Sequence, residues 1–397
     1  MPLSMQKRYL YFLLPFSLVL LSACQQQEET VESAYEEALL PKPAYKFSRN
    51  GYSSVDALEC TFLKQILDYL YSGFMKEARI SLTEDYKDAF LRYNEGEFGL
   101  KPVEEVARSP RHISQRATVL QDLQNLLQSS ATISGYPLDD PYKHRNRKAK
   151  MGVSGFVGHD IGDDNKFFID ETGKAPAEVF KYYIMGAIYL DKILNEHLDE
   201  RHFTNADLIR HHQNVNLVRG RNYTALEHHL DLAYGYYQFW QPLSRAEGLP
   251  ILKNSDHKIF IAFVEARTML QYYRYDEAMT QIAVIREELS KVIPIRAMNL
   301  LMGVNTLANI KENPEYAFDF LSQAIGLIRC LPFTLRPDGS PYFTYEEADK
   351  LVTDLLQDKG LWETERLLET AEHAGSLRNI ATRVGKPFNI TLQDIKR

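Results

Sequence analysis

Residues 222–240 constrain the fold of this chain more than any other stretch. They read as one helix, N-capped by Thr224. Projected at about 100° per residue, Leu226, Leu230, Ala233, Tyr237 and Trp240 form one broad apolar face. Leu232 and Phe239 lie on the opposite side. A helix that is apolar on both sides is a buried helix. Between the two faces runs a narrow stripe of Glu227, His228, Asp231, Gly235 and Gln238. Polar groups on a buried helix must be paired, hydrated or used, so this stripe is the leading functional candidate.

A second helix of the same kind is expected at 176–198. Pro176 opens it, as proline does in a first turn. Val179, Phe180, Tyr183, Ile184, Ala187, Ile188, Leu190 and Leu194 cover most of its circumference. Gly186 permits close approach by a neighbouring helix. Around this pair, amphipathic helices are expected at 55–76, with Ser53-Ser54 as its cap, and at 84–93, 103–107 and 113–129. More follow at 256–273, 276–292, 295–310, 314–329, 345–357 and 361–373. The fold class is therefore all-α: a multi-helix bundle of packed helix pairs around two buried central helices. Strand is expected only in the long loop region 133–175, where 166–173 has room for a short hairpin.

That loop region carries sequences that superficially suggest chemistry. Gly152-Val-Ser-Gly-Phe-Val-Gly158 lacks the Lys-Ser/Thr of a phosphate loop. It also misses the spacing of a nucleophile elbow. The acidic run Asp160, Asp163, Asp164, Asp170 and Glu171 lacks calcium-loop spacing. The basic run 143–150 reads as a solvated loop. With 46 Lys and Arg against 53 Asp and Glu, the net charge is −7. There is no long basic run, which argues against nucleic acid as a partner.

The first residues are those of an exported lipoprotein. Lys7 and Arg8 precede an apolar run to Leu21, and Leu21-Ser22-Ala23-Cys24 follows. This is a signal peptide over 1–23, and its ending resembles the bacterial lipobox, which implies lipidation of Cys24. Residue 25 is Gln rather than Asp, so the expected address is the outer membrane. The acidic, Pro-containing segment 24–50 reads as a flexible tether. Residues 51–375 form the helical body, with sub-bundles at about 51–240 and 255–375 as one option, and 376–397 form a C-terminal tail. Cys60 and Cys330 fall in apolar helices, where free buried thiols are as well accounted for as a disulfide.

Several segments together resemble the lipoproteins grouped as domain of unknown function 4856. These are Val153-Ser-Gly-Phe-Val-Gly158, Lys166-Phe-Phe-Ile-Asp170, residues 183–195, residues 222–236, Ile259-Phe-Ile-Ala-Phe-Val-Glu-Ala-Arg267, Ile285-Arg-Glu-Glu-Leu-Ser-Lys-Val292 and Ala324-Ile-Gly-Leu-Ile-Arg329. They cover 53–373 in order. The resemblance implies an exported helical lipoprotein and brings no activity. A weaker likeness is to the imelysin-type proteins, helical exported proteins linked to iron uptake. Their Gly-x-His-x-x-Glu motif is approached by His228-x-x-Asp231, but position 226 is Leu and position 231 is Asp.

Three functions remain open on the sequence. The first is a binding lipoprotein for iron, haem or another divalent metal, with Glu227, His228 and Asp231 as ligands and Lys181, His229 and Arg267 in support. Its partners would be the membrane, through Cys24, and an outer-membrane uptake receptor or imelysin-type protein. The second is a non-enzymatic interaction or scaffold lipoprotein in which the stripe is a satisfied network, closed by a cation such as Lys181 or Arg267. The third, an enzyme such as a hydrolase, has the least support.

Overall fold

A computed structural model of the chain describes residues 44–76, 102–134, 147–158 and 167–396. Cys24, the helix expected at 84–93, residues 143–146 of the basic run and Asp160, Asp163 and Asp164 lie outside the described residues. In chain order the elements are β1 (Ser48–Arg49), β2 (Tyr52–Ser53), α1 (Leu58–Asp68), α2 (Pro102–Glu105), α3 (Arg116–Ser134), β3 (Gly155–Val157) and β4 (Phe167–Ile169). Then come α4 (Pro176–Ile184), α5 (Glu200–Thr204), α6 (Ala206–Gln213), α7 (Ala225–Ser244), α8 (Ser255–Gln271) and α9 (Tyr275–Met302). The last are α10 (Val304–Glu312), α11 (Pro314–Ile328), α12 (Tyr345–Leu356), α13 (Thr364–Leu367) and α14 (Leu377–Gly385). The fold is all-α apart from two small antiparallel ribbons.

The two helices expected to be buried form the centre. α4 continues through Met185–His197 in the wider i→i+5 winding of a π-helix. That continuation packs along α7. Tyr189 lies against Tyr236 and Phe239, and Trp240 Nε1 donates to the Met185 carbonyl at 3.0 Å. Glycines set the closest crossings. A Cβ on Gly186 would stand 2.6 Å from Cys330 Sγ, and one on Gly235 would stand 2.8 Å from Cys60 Sγ. Both cysteines are free and buried at these crossings, not paired with each other.

The outer helices cover this pair. α8 and α9 form a helical hairpin, with α8 against α7. α11 packs on both α4 and α9, α3 on α4, α1 on α7, and α14 on α9. β3 and β4 pair in register Phe156↔Phe168 within the expected loop region.

Several details differ from the sequence expectation. The helix expected at 361–373 is cut down to α13 and a 3-10 turn at Gly360–Trp362, and α5 and α6 were not expected. A second ribbon, β1–β2, stands outside 133–175 with Arg49 paired to Tyr52, so Ser53 belongs to a strand instead of capping a helix. The start of α1 is served by Asp56, whose Oδ1 accepts from the Leu58 amide at 3.2 Å. α9 runs unbroken through Pro294, where two shorter helices were expected. Interior proline costs a helix roughly 3 kcal/mol. Burial of Leu289, Val292, Ile293, Ile295 and Met298 around it offsets that cost. The segment expected as a tail carries α14, capped by Ser376, with Leu377, Ile380, Ala381 and Val384 buried at helical spacing.

Candidate functional site: a buried carboxylate–arginine network

The site begins with the N-terminus of α7. Thr224 Oγ1 accepts from the Glu227 amide at 3.4 Å, and Glu227 Oε2 accepts from the Thr224 amide at 2.8 Å. This reciprocal capping box satisfies two free backbone donors. It turns the Glu227 side chain back over the helix end, one turn from Asp231. Glu227 is 1% exposed and Asp231 is fully buried. Two carboxylates that close in a dry interior require positive charge.

Arg267 of α8 supplies it, itself 1% exposed. Its Nη1 lies 2.9 Å from Glu227 Oε1 and its Nε 3.1 Å from Asp231 Oδ1. A second cation enters from the β1–β2 ribbon. Arg49 Nη2 donates to both oxygens of Glu227, at 2.9 and 3.1 Å. Arg49 Nη1 donates to the Asn222 carbonyl at 2.9 Å. Asn222 Nδ2 in turn lies 3.0 Å from the Arg49 and Tyr52 carbonyls. Burial pushes the Glu227 carboxyl up, but Arg267, Arg49 and the Thr224 amide outweigh it and hold the group below the usual carboxylate range. His212 closes the edge. Its Nδ1 is 2.9 Å from Tyr275 Oη and its Nε2 is 3.9 Å from Glu227 Oε1. Burial lowers its pKa to about 4, so the ring is neutral at physiological pH.

Of the residues singled out on the sequence, the structure brings together Glu227, Asp231 and Arg267. It separates the others. His228 points away from the network and stacks on Tyr223, with ring centroids 4.3 Å apart. His229 stacks on His202 at 3.8 Å, and its Nδ1 lies 3.4 Å from that of buried His197. Lys181 sits over the rings of Tyr71 and Tyr182 on α4, not against Asp231. Among the described residues no group of three or more His, Cys, Asp or Glu is arranged to hold a metal ion.

Sequence reasoning missed two buried polar clusters on the central π-helix. Asp191 accepts from the Ser109 amide at 3.0 Å and from Ser109 Oγ at 2.6 Å, which fixes the 109–112 turn. Burial raises the Asp191 carboxyl to about 7. Lys192, 3% exposed, pairs with Glu105 at 2.5 Å and Glu196 at 3.3 Å. Asp191 and Lys192 interrupt an apolar run, which was the available signal. Glu196 is a local i,i+4 partner, but Ser109 and Glu105 lie more than 80 residues away, so no periodicity could supply them. The N-cap Thr224, by contrast, was read from the sequence, and Glu227 three residues on makes it a capping box.

The family described as Domain of unknown function (DUF4856) matches residues 42–391. The chain belongs to this family. The match covers the described helical body of the DUF4856 chain, both central helices and every member of the Glu227 network. No curated protein and no solved structure matches significantly.

Proposed function

We propose that this DUF4856 protein is an exported, lipid-anchored interaction protein, not an enzyme. In this reading its buried ion network fixes the surface that the chain presents. Arg267 carries the proposal. It stands between Glu227 and Asp231 and delivers the positive charge that a metal ion would otherwise bring. Arg49 completes the compensation from the ribbon.

The same network supports a nearby exposed loop. Residues 213–220 are exposed throughout, and Asn222 ties the loop's end to the ribbon. Val215, Leu217 and Val218 are 40%, 41% and 37% exposed, and Arg219 and Arg221 follow them. Val215 holds a φ of +52°, a conformation that is a genuine outlier for a β-branched side chain. Strain of this kind persists where surrounding structure fixes it, and it clusters at functional surfaces. An apolar, basic-edged loop on a rigid base suits docking to another component of the cell envelope. Lipidation at Cys24 would hold the body at the outer membrane.

The test is metal analysis of the purified, untagged mature protein, together with thermal unfolding in the presence and absence of a chelator. Substoichiometric metal and an unchanged transition are expected. Stoichiometric iron, zinc, manganese or haem, with a transition lowered by its removal, would replace this reading with a metal-linked one.

A further inference from the structure

A cleft of about 530 Å³ lies away from the Glu227 network, lined by Arg111, Arg201, Arg286, Asp338, Gly339 and neighbouring residues. Its volume falls in the range of small-molecule sites. Arg286, on α9, is 8% exposed, yet its Nε has no hydrogen-bond acceptor. Its Nη1 pairs with Glu200, a side chain that is 54% exposed and so compensates only weakly. A Cβ built on Gly339 would lie 3.5 Å from Arg286 Nη2 and 3.9 Å from Arg111 Nη2. The two guanidiniums therefore flank one spot of backbone. Gly339 has a φ of +79°, so its turn favours glycine and the spot stays open.

Of the acidic groups lining the cleft, Glu200 occupies only Nη1 of Arg286, and Asp199 and Asp338 are engaged by other groups. Asp199 caps α5 and takes the Arg201 guanidinium on both oxygens, at 2.9 and 2.6 Å. Asp338 Oδ1 accepts from the Ser340 amide at 2.9 Å and from Ser340 Oγ at 2.6 Å. Among the described residues no carboxylate pairs with Arg111, which is exposed. It projects from the 109–112 turn that Asp191 locks through Ser109. Two like charges thus converge on a rigid frame with donors to spare. Guanidiniums present planar donor forks that match oxyanions.

The geometry points to a binding cleft for a small oxyanion, a phosphate or carboxylate group carried by a small molecule and held by Arg111 and Arg286 over Gly339. The engaged carboxylates around the rim disfavour an extended polyanion. This assignment is independent of what the Glu227 network does.

The experiment follows thermal unfolding of the mature chain titrated with inorganic phosphate or with succinate, each against chloride at equal ionic strength. A saturable rise in the transition above the chloride control is expected with at least one probe. Arg111→Gln, a surface change, should leave the unliganded transition in place and weaken that response by about ten-fold or more, the loss of a charged hydrogen bond. Arg286→Gln should do the same; if it does not fold, Arg111→Gln decides the matter alone. A response to phosphate only assigns a tetrahedral group, to succinate only a carboxylate, and to both an oxyanion without selection by shape. No response beyond chloride, or undiminished affinity in Arg111→Gln, overturns the cleft.

Discussion

Arg267 reaches Asp231 through Nε at 3.1 Å with both side chains essentially shut off from solvent, at 1% and 0% exposure. The same guanidinium holds Glu227 at 2.9 Å through Nη1. One cation on α8 thus bridges two carboxylates on successive turns of α7, and Arg49 supplies the second positive charge. A buried pair of this kind contributes little net stability over an apolar replacement, but breaking it leaves charge uncompensated. Arg267→Met is therefore expected to cost about 3–5 kcal/mol in urea unfolding. Combining it with Glu227→Gln and Asp231→Asn should recover part of that loss. If Arg267→Met cost less than about 1 kcal/mol, the carboxylates would be compensated in some other way.

The central helices were readable because their apolar residues cover most of the circumference, a pattern that burial explains. Thr224 was readable as a cap because the signal is local, and Glu227, read only as a stripe residue, completes it. Arg267 was visible as a buried cation, but its engagement with α7 is tertiary: 36 residues separate it from Asp231. Arg49 is further still and sits in a two-residue ribbon too short to show a period of two. His228 misled for a related reason. It lies beside Glu227 in sequence, but successive helical residues point in different directions, and its ring turns to Tyr223. Pro294 misled because local propensity argues for a break where packing on both sides carries the helix through.

Gly186 offers a test of the central crossing. Its Cβ would meet Cys330 at 2.6 Å from both Cβ and Sγ and 2.8 Å from Cα. Alanine at 330 removes the Sγ contact but keeps those to Cβ and Cα. Gly186→Ala should destabilise by about 1–3 kcal/mol, the cost of overpacking a closed core. Adding Cys330→Ala should restore only a fraction. Additive effects in the double variant, measured by chemical unfolding, would show that the two residues do not press on each other.

Acid should weaken the fold. Burial lowers His112 and His229 from 6.5 to about 3, so the unfolded chain binds more protons between those values. Stability from these neutral rings is present at neutral pH and falls as pH drops below about 6.5, at up to roughly 1.4 kcal/mol per pH unit for each. Asp191 acts in the opposite sense. Burial raises it from 3.8 to about 7, so its contribution is full below 3.8 and is lost as pH rises through 7. His212, lowered to about 4, adds to the loss, and Asp319, raised by burial from 3.8 to about 6, opposes it. Three histidines against two aspartates leave a net loss on acidification from pH 6.5 to 4. Glu227, held below its ordinary value, adds a further loss at the acid end as pH falls through its folded pKa. The urea midpoint should fall over this window, and His229→Phe should flatten the slope. A midpoint independent of pH from 6.5 to 4 would contradict the buried neutral state of these rings.

Export and anchoring rest on Leu21-Ser22-Ala23-Cys24. No helix among the described residues is long and apolar enough to cross a membrane. Stable attachment by acyl groups takes more than one chain, since a single myristoyl chain binds only marginally. Cys24→Ser should leave the precursor unprocessed or release the protein from the membrane fraction. A Cys24→Ser protein that is still cleaved and sediments with membranes would remove the anchor from the proposed function.

The exposed loop after α6 is where the interaction reading stands or falls. Leu217 is 41% exposed, and its backbone forms an isolated bridge with Thr224, at the residue that caps α7. The loop is thus tied to the network while its side chain faces outward. Changing an exposed apolar side chain there should move stability by less than about 0.5 kcal/mol. A photo-crosslinking side chain at Leu217, in intact cells, should give one discrete high-mass adduct. The same group at Lys311, exposed on α10, should give none. Adding Val215→Ser and Val218→Ser should remove the adduct without lowering the unfolding transition. If Leu217 and Lys311 gave the same diffuse pattern, or if the adduct survived both serine changes, the loop would be ordinary solvated surface, and the buried arginine network would be holding nothing but the helices it touches.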